Sequence, residues 1–126
     1  MKNHSQKLKI FLSLLVILIF SFLVFRFSRP SGGSSASVLD AFGSCLAEKG
    51  VTMYGAYWCS HCQNEKKAFG DSFRLVPYVE CTKDPKKCLE MGVEAYPTWI
   101  FPDGKKLVGE QGLAKLSSES GCQLKN

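Results

Sequence analysis

The 126-residue chain has no surplus charge where a nucleic-acid partner would need it. Its formal net charge of +5 comes wholly from Lys2, Lys7, Lys9, Arg26 and Arg29, and from Ser31 onward 11 Lys and Arg face 11 Asp and Glu. These basic residues flank a hydrophobic run, so no polyanion-binding patch is expected. Motifs for phosphate, nucleotide or flavin binding are also missing, and no cofactor is expected. Internal repeats are lacking, and the one biased tract is a short Ser/Gly stretch. Cysteine, by contrast, is plentiful: six residues, all beyond position 44. An even number at that density suits pairing in an oxidising compartment, whereas in a reducing cytosol the same set would serve a metal.

Ile10 to Phe25 is almost unbroken in apolar character and is preceded by Lys2, Lys7 and Lys9. It is short for a spanning helix of about 20 residues and long for a signal-peptide core of about 7–15. Phe27 extends it past Arg26, whose side chain can snorkel to the interface. The division expected is a cytoplasmic segment at 1–9, a membrane anchor at 10–27, a flexible linker at 28–37 and a folded body at 38–126. A cleaved signal peptide is the rival, with Ser34-Ser35-Ala36 as a weak cleavage site; Arg26 and Arg29 argue against it. The greater positive charge before the run keeps the N-terminus in the cytoplasm and exports the body.

Within the body, Val38 to Lys49 reads as a helix with Ser37 as N-cap and Gly50 at its end. Val51 to Trp58 is a buried strand, and a helix follows from Ser60 to Phe69, with a continuation past Gly70 to Phe73 left open. Val76 to Cys81 is a second strand. Asp84 caps a short helix from Pro85 to Met91, closed by Gly92. A strand from Tyr96 to Phe101, a turn at Pro102–Lys105 and a returning strand to Gly109 make a hairpin. Leu113 to Ser118 is the last helix. Tyr54, Phe69, Trp99 and Phe101 read as core. The order β-α-β-α-β-β-α, behind one extra helix, is an α/β layer arrangement.

Trp58-Cys59-Ser60-His61-Cys62 lies where the first strand turns into a helix. Two cysteines at that spacing can open and close a small disulfide. Unpaired N–H groups and the peptide dipoles at the helix start favour a thiolate on the first of them. With Tyr96-Pro97-Thr98 further on, the pattern resembles a thioredoxin fold. That resemblance implies a cis bond before Pro97, facing the disulfide. A closer match runs through Met53 to Gln63, Leu75 to Cys81, Cys88 and Tyr96 to Trp99. These blocks resemble the thioredoxin-like domain fused to, or working beside, bacterial and plastid homologues of vitamin K epoxide reductase. In that family the membrane enzyme passes electrons to a quinone and draws them from its thioredoxin-like partner, which oxidises exported proteins. None of the reductase helices is seen here, so the resemblance implies a separate membrane chain as partner.

Cys59 is expected to attack and Cys62 to resolve the mixed disulfide. His61 resembles its counterpart in strongly oxidising DsbA-type sites. A cationic imidazole there would stabilise the thiolate and raise the potential, within a range from about −270 mV for thioredoxin to about −120 mV for DsbA; a solvent-facing histidine would do little. Thioredoxin has a buried acid at the position of Met53, and its absence favours oxidase or isomerase work. Glu65 and Lys66 could flank the site but, on an exposed helix, read as solvated. Trp58, His61, Tyr96 and Pro97 are expected to form an exposed platform for unfolded peptide. Cys81 and Cys88 are expected to pair, either as a structural disulfide or, as the family suggests, as a second redox pair. A Cys45–Cys122 bond would tie the terminal helices together and contribute about 4–5 kcal/mol. The expected activity is that of a membrane-anchored, extracytoplasmic thiol–disulfide oxidoreductase acting on exported cysteine-containing proteins, an oxidase rather than a reductase. The alternatives are a reductase or isomerase, a copper or zinc module using Cys59, His61 and Cys62, with Cys81 or Cys88 as a further ligand, and a redox-inert interaction domain.

Overall fold

The computed structural model describes residues 2–27 and 35–124, in two separate units. The first unit contains one helix, α1, Lys2–Phe27. It begins eight residues ahead of the apolar run, and its stretch Gln6–Leu23 is long and apolar enough to cross a membrane. Residues 28–34, most of the expected linker, lie outside the described residues.

The second unit is built from α2 (Ser35–Glu48), β1 (Thr52–Gly55), α3 (Ser60–Phe69), a 3-10 segment (Gly70–Leu75), β2 (Tyr78–Glu80), α4 (Pro85–Glu90), β3 (Thr98–Ile100), β4 (Lys106–Val108) and α5 (Gly112–Ser120). The strands form one mixed sheet in the order β2-β1-β3-β4, with β1 and β2 parallel and the other pairs antiparallel. This is the small mixed sheet flanked by helices that the thioredoxin resemblance implies.

Alternation along β1 sends Met53 to one face of the sheet and Tyr54 to the other. Met53 joins the main core with Phe42 and Leu46 of α2, Phe69 of α3, Trp99 of β3 and Leu116 of α5. Tyr54 joins a smaller core with Cys81, Cys88 and Ile100, under α4. Three helices therefore cover one face and one covers the other. Edge strand β4 carries exposed Lys106 and Val108, and a lysine at an open edge discourages pairing with other chains.

Several boundaries differ from expectation for identifiable reasons. Helix α2 starts at Ser35, so Ser37 lies inside its first turn rather than capping it; nothing in Ser35-Ala36 breaks a helix. Strand β1 stops at Gly55 because the backbone turns at Tyr57-Trp58, and the Tyr57 N–H is taken by Glu80 Oε1 at 3.2 Å instead of a neighbouring strand. Helix α3 ends at Phe69: Gly70 adopts φ +55° and the chain tightens into the 3-10 segment, which packs on α2. Pro97, lacking an N–H, stays outside β3, although its carbonyl accepts from Gly109 N at 2.7 Å. Helix α5 runs one residue earlier and two later than expected. Asp84 does cap α4, its carboxylate accepting the Lys87 N–H at 3.2 Å.

Candidate active site

The site is assembled at the end of β1. After Ala56 the chain makes one turn, closed by Cys59 N–H donating to Ala56 O at 3.1 Å, and then enters α3. Cys59 is itself the N-cap. Its backbone is extended (φ −75°, ψ 117°), and its Sγ accepts the Cys62 N–H at 3.2 Å. A sulfur in that position meets the free N–H groups and the positive end of a ten-residue helix, which stabilises negative charge on it.

The two thiols, which are not disulfide-bonded here, differ in environment. Cys59 retains 7 % of its surface in contact with solvent and Cys62 none. Burial pushes the Cys62 thiol up to about 12, helped by its hydrogen bond with Cys59 and the charge Cys59 would carry. The Ala56 backbone and the Lys66 ammonium pull in the opposite direction without overcoming it. Gly55 makes this burial possible, since a Cβ there would sit 2.9 Å from Cys62 Sγ.

Opposite the cysteines, the Tyr96–Pro97 bond is cis, as the thioredoxin resemblance implies. Glu94, Ala95 and Tyr96 line one side of an open groove whose other side is Trp58, Cys59, Ser60 and His61. Trp58, 61 % exposed, meets the half-buried Tyr96 edge-on with ring centroids 6.0 Å apart. The Pro97 side chain is buried beneath them, so the exposed surface consists of Trp58, His61 and part of Tyr96, with neighbouring Tyr57 also exposed. Pro97 shapes the backbone and does not itself face a ligand.

His61 does not turn toward solvent alone. Its Nδ1 lies 2.9 Å from Glu110 Oε2, and Asn64 Nδ2 donates to the same oxygen at 3.1 Å. The hydrogen bonds from His61 and then Asn64 hold the Glu110 carboxyl below its ordinary range. Glu110 sits 49 positions from His61, just before α5, and no local pattern marks it.

Glu65 corrects an expectation more sharply. It is 1 % exposed, not solvated, and its carboxylate accepts Trp99 Nε1–H at 2.7 Å, Gln111 N–H at 3.1 Å and Gly112 N–H at 2.6 Å. It thereby bolts the active-site helix to β3 and to the start of α5. The helical spacing from Cys62 and Phe69 places Glu65 on the inward face, which was the available signal. Lys66 is also half-buried, its ammonium 3.7 Å from the Tyr78 ring centre.

Disulfides join Cys45 to Cys122 and Cys81 to Cys88. Cys122 lies two residues beyond α5 rather than on it. Cys81 and Cys88 are 2 % and 3 % exposed, packed against Tyr54 and Ile100 on the face under α4. Among the described residues, no three His, Cys, Asp or Glu converge in a way that could hold a metal ion.

No protein-family model matches the chain. The chain is similar to thiol-disulfide oxidoreductase LTO1 of Arabidopsis thaliana, 38% identical over 107 residues. The match takes in 78% of this chain but 28% of that protein, so the chain spans little more than a quarter of its relative's length. A thiol–disulfide oxidoreductase as relative, together with an asymmetric Cys59–Cys62 pair at a helix start, supports disulfide exchange as the chemistry of the site.

Proposed function

We propose that this chain is a membrane-anchored thiol–disulfide oxidoreductase whose folded unit works outside the cytoplasm. Cys59 exchanges disulfides with exported proteins and Cys62 closes the bond behind it. One observation carries the reading: Cys59 Sγ caps α3, 3.2 Å from the Cys62 N–H, on the rim of a groove walled by the cis-proline loop. The capping position favours the thiolate that attacks. The buried Cys62, with its raised pKa, waits as a thiol until a mixed disulfide at Cys59 makes the adjacent Cys59 sulfur open to attack. An extended peptide fits beside Tyr96, where Trp58 offers an apolar face.

In the cell the pair acts as an oxidant and is reoxidised by a quinone-linked membrane enzyme of the vitamin K epoxide reductase type. The resemblance of the cysteine and proline blocks to that enzyme's thioredoxin-like domain supports this partner, and α1 supplies a helix apolar enough to hold both in one bilayer. The burial of Cys81 and Cys88 favours a structural role for their bond, since an incoming thiolate needs access to a sulfur.

Trapping tests the proposal. A full-length Cys62→Ala variant expressed in cells is expected to accumulate mixed disulfides through Cys59 with exported proteins and with one integral membrane protein. Adducts confined to cytoplasmic proteins would overturn the location, and a Cys59–Cys62 potential near thioredoxin's would overturn the oxidising direction.

A further inference from the structure

Met53 stands where thioredoxin has its buried acid, yet the structure places a carboxylate close by on the neighbouring strand. In the parallel β1–β2 register Met53 lies opposite Tyr78 and Gly55 opposite Glu80. Gly55 has no side chain, and the space above it is filled from two sides. A Cβ there would lie 2.9 Å from Cys62 Sγ and 3.4 Å from Tyr78 Oη. The Tyr78 hydroxyl donates to Glu80 Oε2 at 2.7 Å. The other carboxylate oxygen, Oε1, accepts Thr82 Oγ1–H at 2.8 Å, the Thr82 N–H at 3.4 Å and the Tyr57 N–H at 3.2 Å. Glu80 is thus held by the turn that leads into the cysteines.

We propose that Tyr78 and Glu80 form a proton relay for Cys62. The proposal rests on the disulfide-exchange reading above and assigns the proton step within it. Cys62 is sealed from solvent, so its thiol proton has no direct exit to water. Once Cys59 holds a partner sulfur, the Cys62 Sγ–H proton passes to Tyr78 Oη as the tyrosine's own proton passes to Glu80 Oε2. The Cys62 thiolate attacks Cys59 Sγ; the Cys59–Cys62 bond forms and the bond from Cys59 to the partner breaks. The partner leaves as a thiolate with the bonding pair, so its sulfur is reduced while the cysteine pair is oxidised, and Glu80 gives its proton to water. When a substrate thiolate instead opens Cys59–Cys62, Cys62 leaves and regains a proton by the same route.

The surroundings suit a relay. Burial, then the hydrogen bond to Glu80, raises the Tyr78 pKa, so the phenol transmits a proton without resting as a phenolate. Burial would raise the Glu80 carboxyl, but hydrogen bonds from Tyr78, Thr82 and the Tyr57 N–H outweigh it and keep Glu80 an acceptor. Lys66, above the Tyr78 ring, favours the transient Cys62 thiolate.

The test uses the full chain, reduced and in detergent, mixed with oxidised glutathione and acid-quenched for mass spectrometry. This separates capture by Cys59 from resolution by Cys62. In Tyr78→Phe and Glu80→Gln, capture is expected at the wild-type rate. Resolution is expected to slow roughly 100-fold, at the low end of general acid–base effects, so that the Cys59–glutathione adduct accumulates. The deficit should shrink as pH rises and hydroxide replaces the relay. Tyr78→Phe keeps the ring against Phe73 and Lys66, so it remains informative even if Glu80→Gln unfolds. Resolution at the wild-type rate and with the wild-type pH profile in Tyr78→Phe overturns the relay. A wild-type chain that forms no adduct at Cys59 overturns the exchange reading itself.

Discussion

The Nδ1 of His61 lies 2.9 Å from Glu110 Oε2, joining the middle of the cysteine motif to a residue just ahead of the last helix. A carboxylate on one ring nitrogen fixes the orientation of the imidazole beside the cysteine pair. We therefore expect His61→Ala to lower the Cys59–Cys62 potential by about 30 mV or more, a tenfold change in the equilibrium with glutathione. Glu110→Gln should shift the potential in wild type but leave it unchanged in the His61→Ala background. Equal shifts in both backgrounds would show that Glu110 does not act through His61.

Glu65 satisfies three donors from two other elements, the buried Trp99 indole N–H and the half-buried Gln111 and Gly112 N–H groups. Replacing it with Ala strands all three and opens a void, and a loss of about 3–5 kcal/mol is expected. Glu65→Gln should lose less, because an amide oxygen can still accept from Gln111 and Gly112. Urea unfolding of the two variants checks the order; equal stability of Glu65→Ala and wild type would contradict it.

Asp40 connects α2 to the 3-10 segment through Arg74 Nη2 at 2.7 Å and Ser72 Oγ at 2.6 Å. The Arg74 hydrogen bond, followed by that of Ser72, lowers its carboxyl from 3.8 to about 2. Because the folded value lies below the unfolded one, the contribution to stability is fully present above the unfolded pKa and is lost as pH falls through the folded one. Asp40→Asn is therefore expected to flatten the fall in stability between about pH 4 and about pH 2. Urea midpoints across that window test this, and parallel curves for variant and wild type would rule it out.

The two disulfides should differ in worth. Cys45–Cys122 spans a sequence separation of 77 and Cys81–Cys88 one of 7. The chain-entropy model gives roughly 4.5 kcal/mol for the longer loop and roughly 2.5 for the shorter. A paired Cys45→Ala, Cys122→Ala variant should melt well below a paired Cys81→Ala, Cys88→Ala variant, and both should retain Cys59–Cys62 exchange. Abolished exchange in the second variant, with its fold intact, would instead make Cys81–Cys88 part of the redox route.

Much of the framework is local and was legible. Trp58-Cys59-Ser60-His61-Cys62 at a strand-to-helix junction, the Asp84-Pro85 helix start and the hairpin around Asp103-Gly104 each follow from residues within one or two turns of each other. Strand lengths were overestimated, because apolar content at Tyr57 and Trp58 does not distinguish a strand from an exposed turn. The carboxylates were the least legible. Glu65 appeared solvated by its charge and is buried by its position on the helix, while Glu80 and Glu110 carried no motif.

That a cysteine pair begins a helix is legible from consecutive residues, because capping, dipole and spacing are local properties. Which carboxylates lie near that pair follows from the packing of distant segments. Glu110 reaches His61 across 49 positions, and the β1–β2 register sets Glu80 opposite Gly55, the residue whose missing side chain leaves room for Cys62. Both depend on strand pairing and helix packing that bring distant segments together. The chemistry of Cys59 was thus written locally, whereas the proton environment of Cys62 arises from the fold.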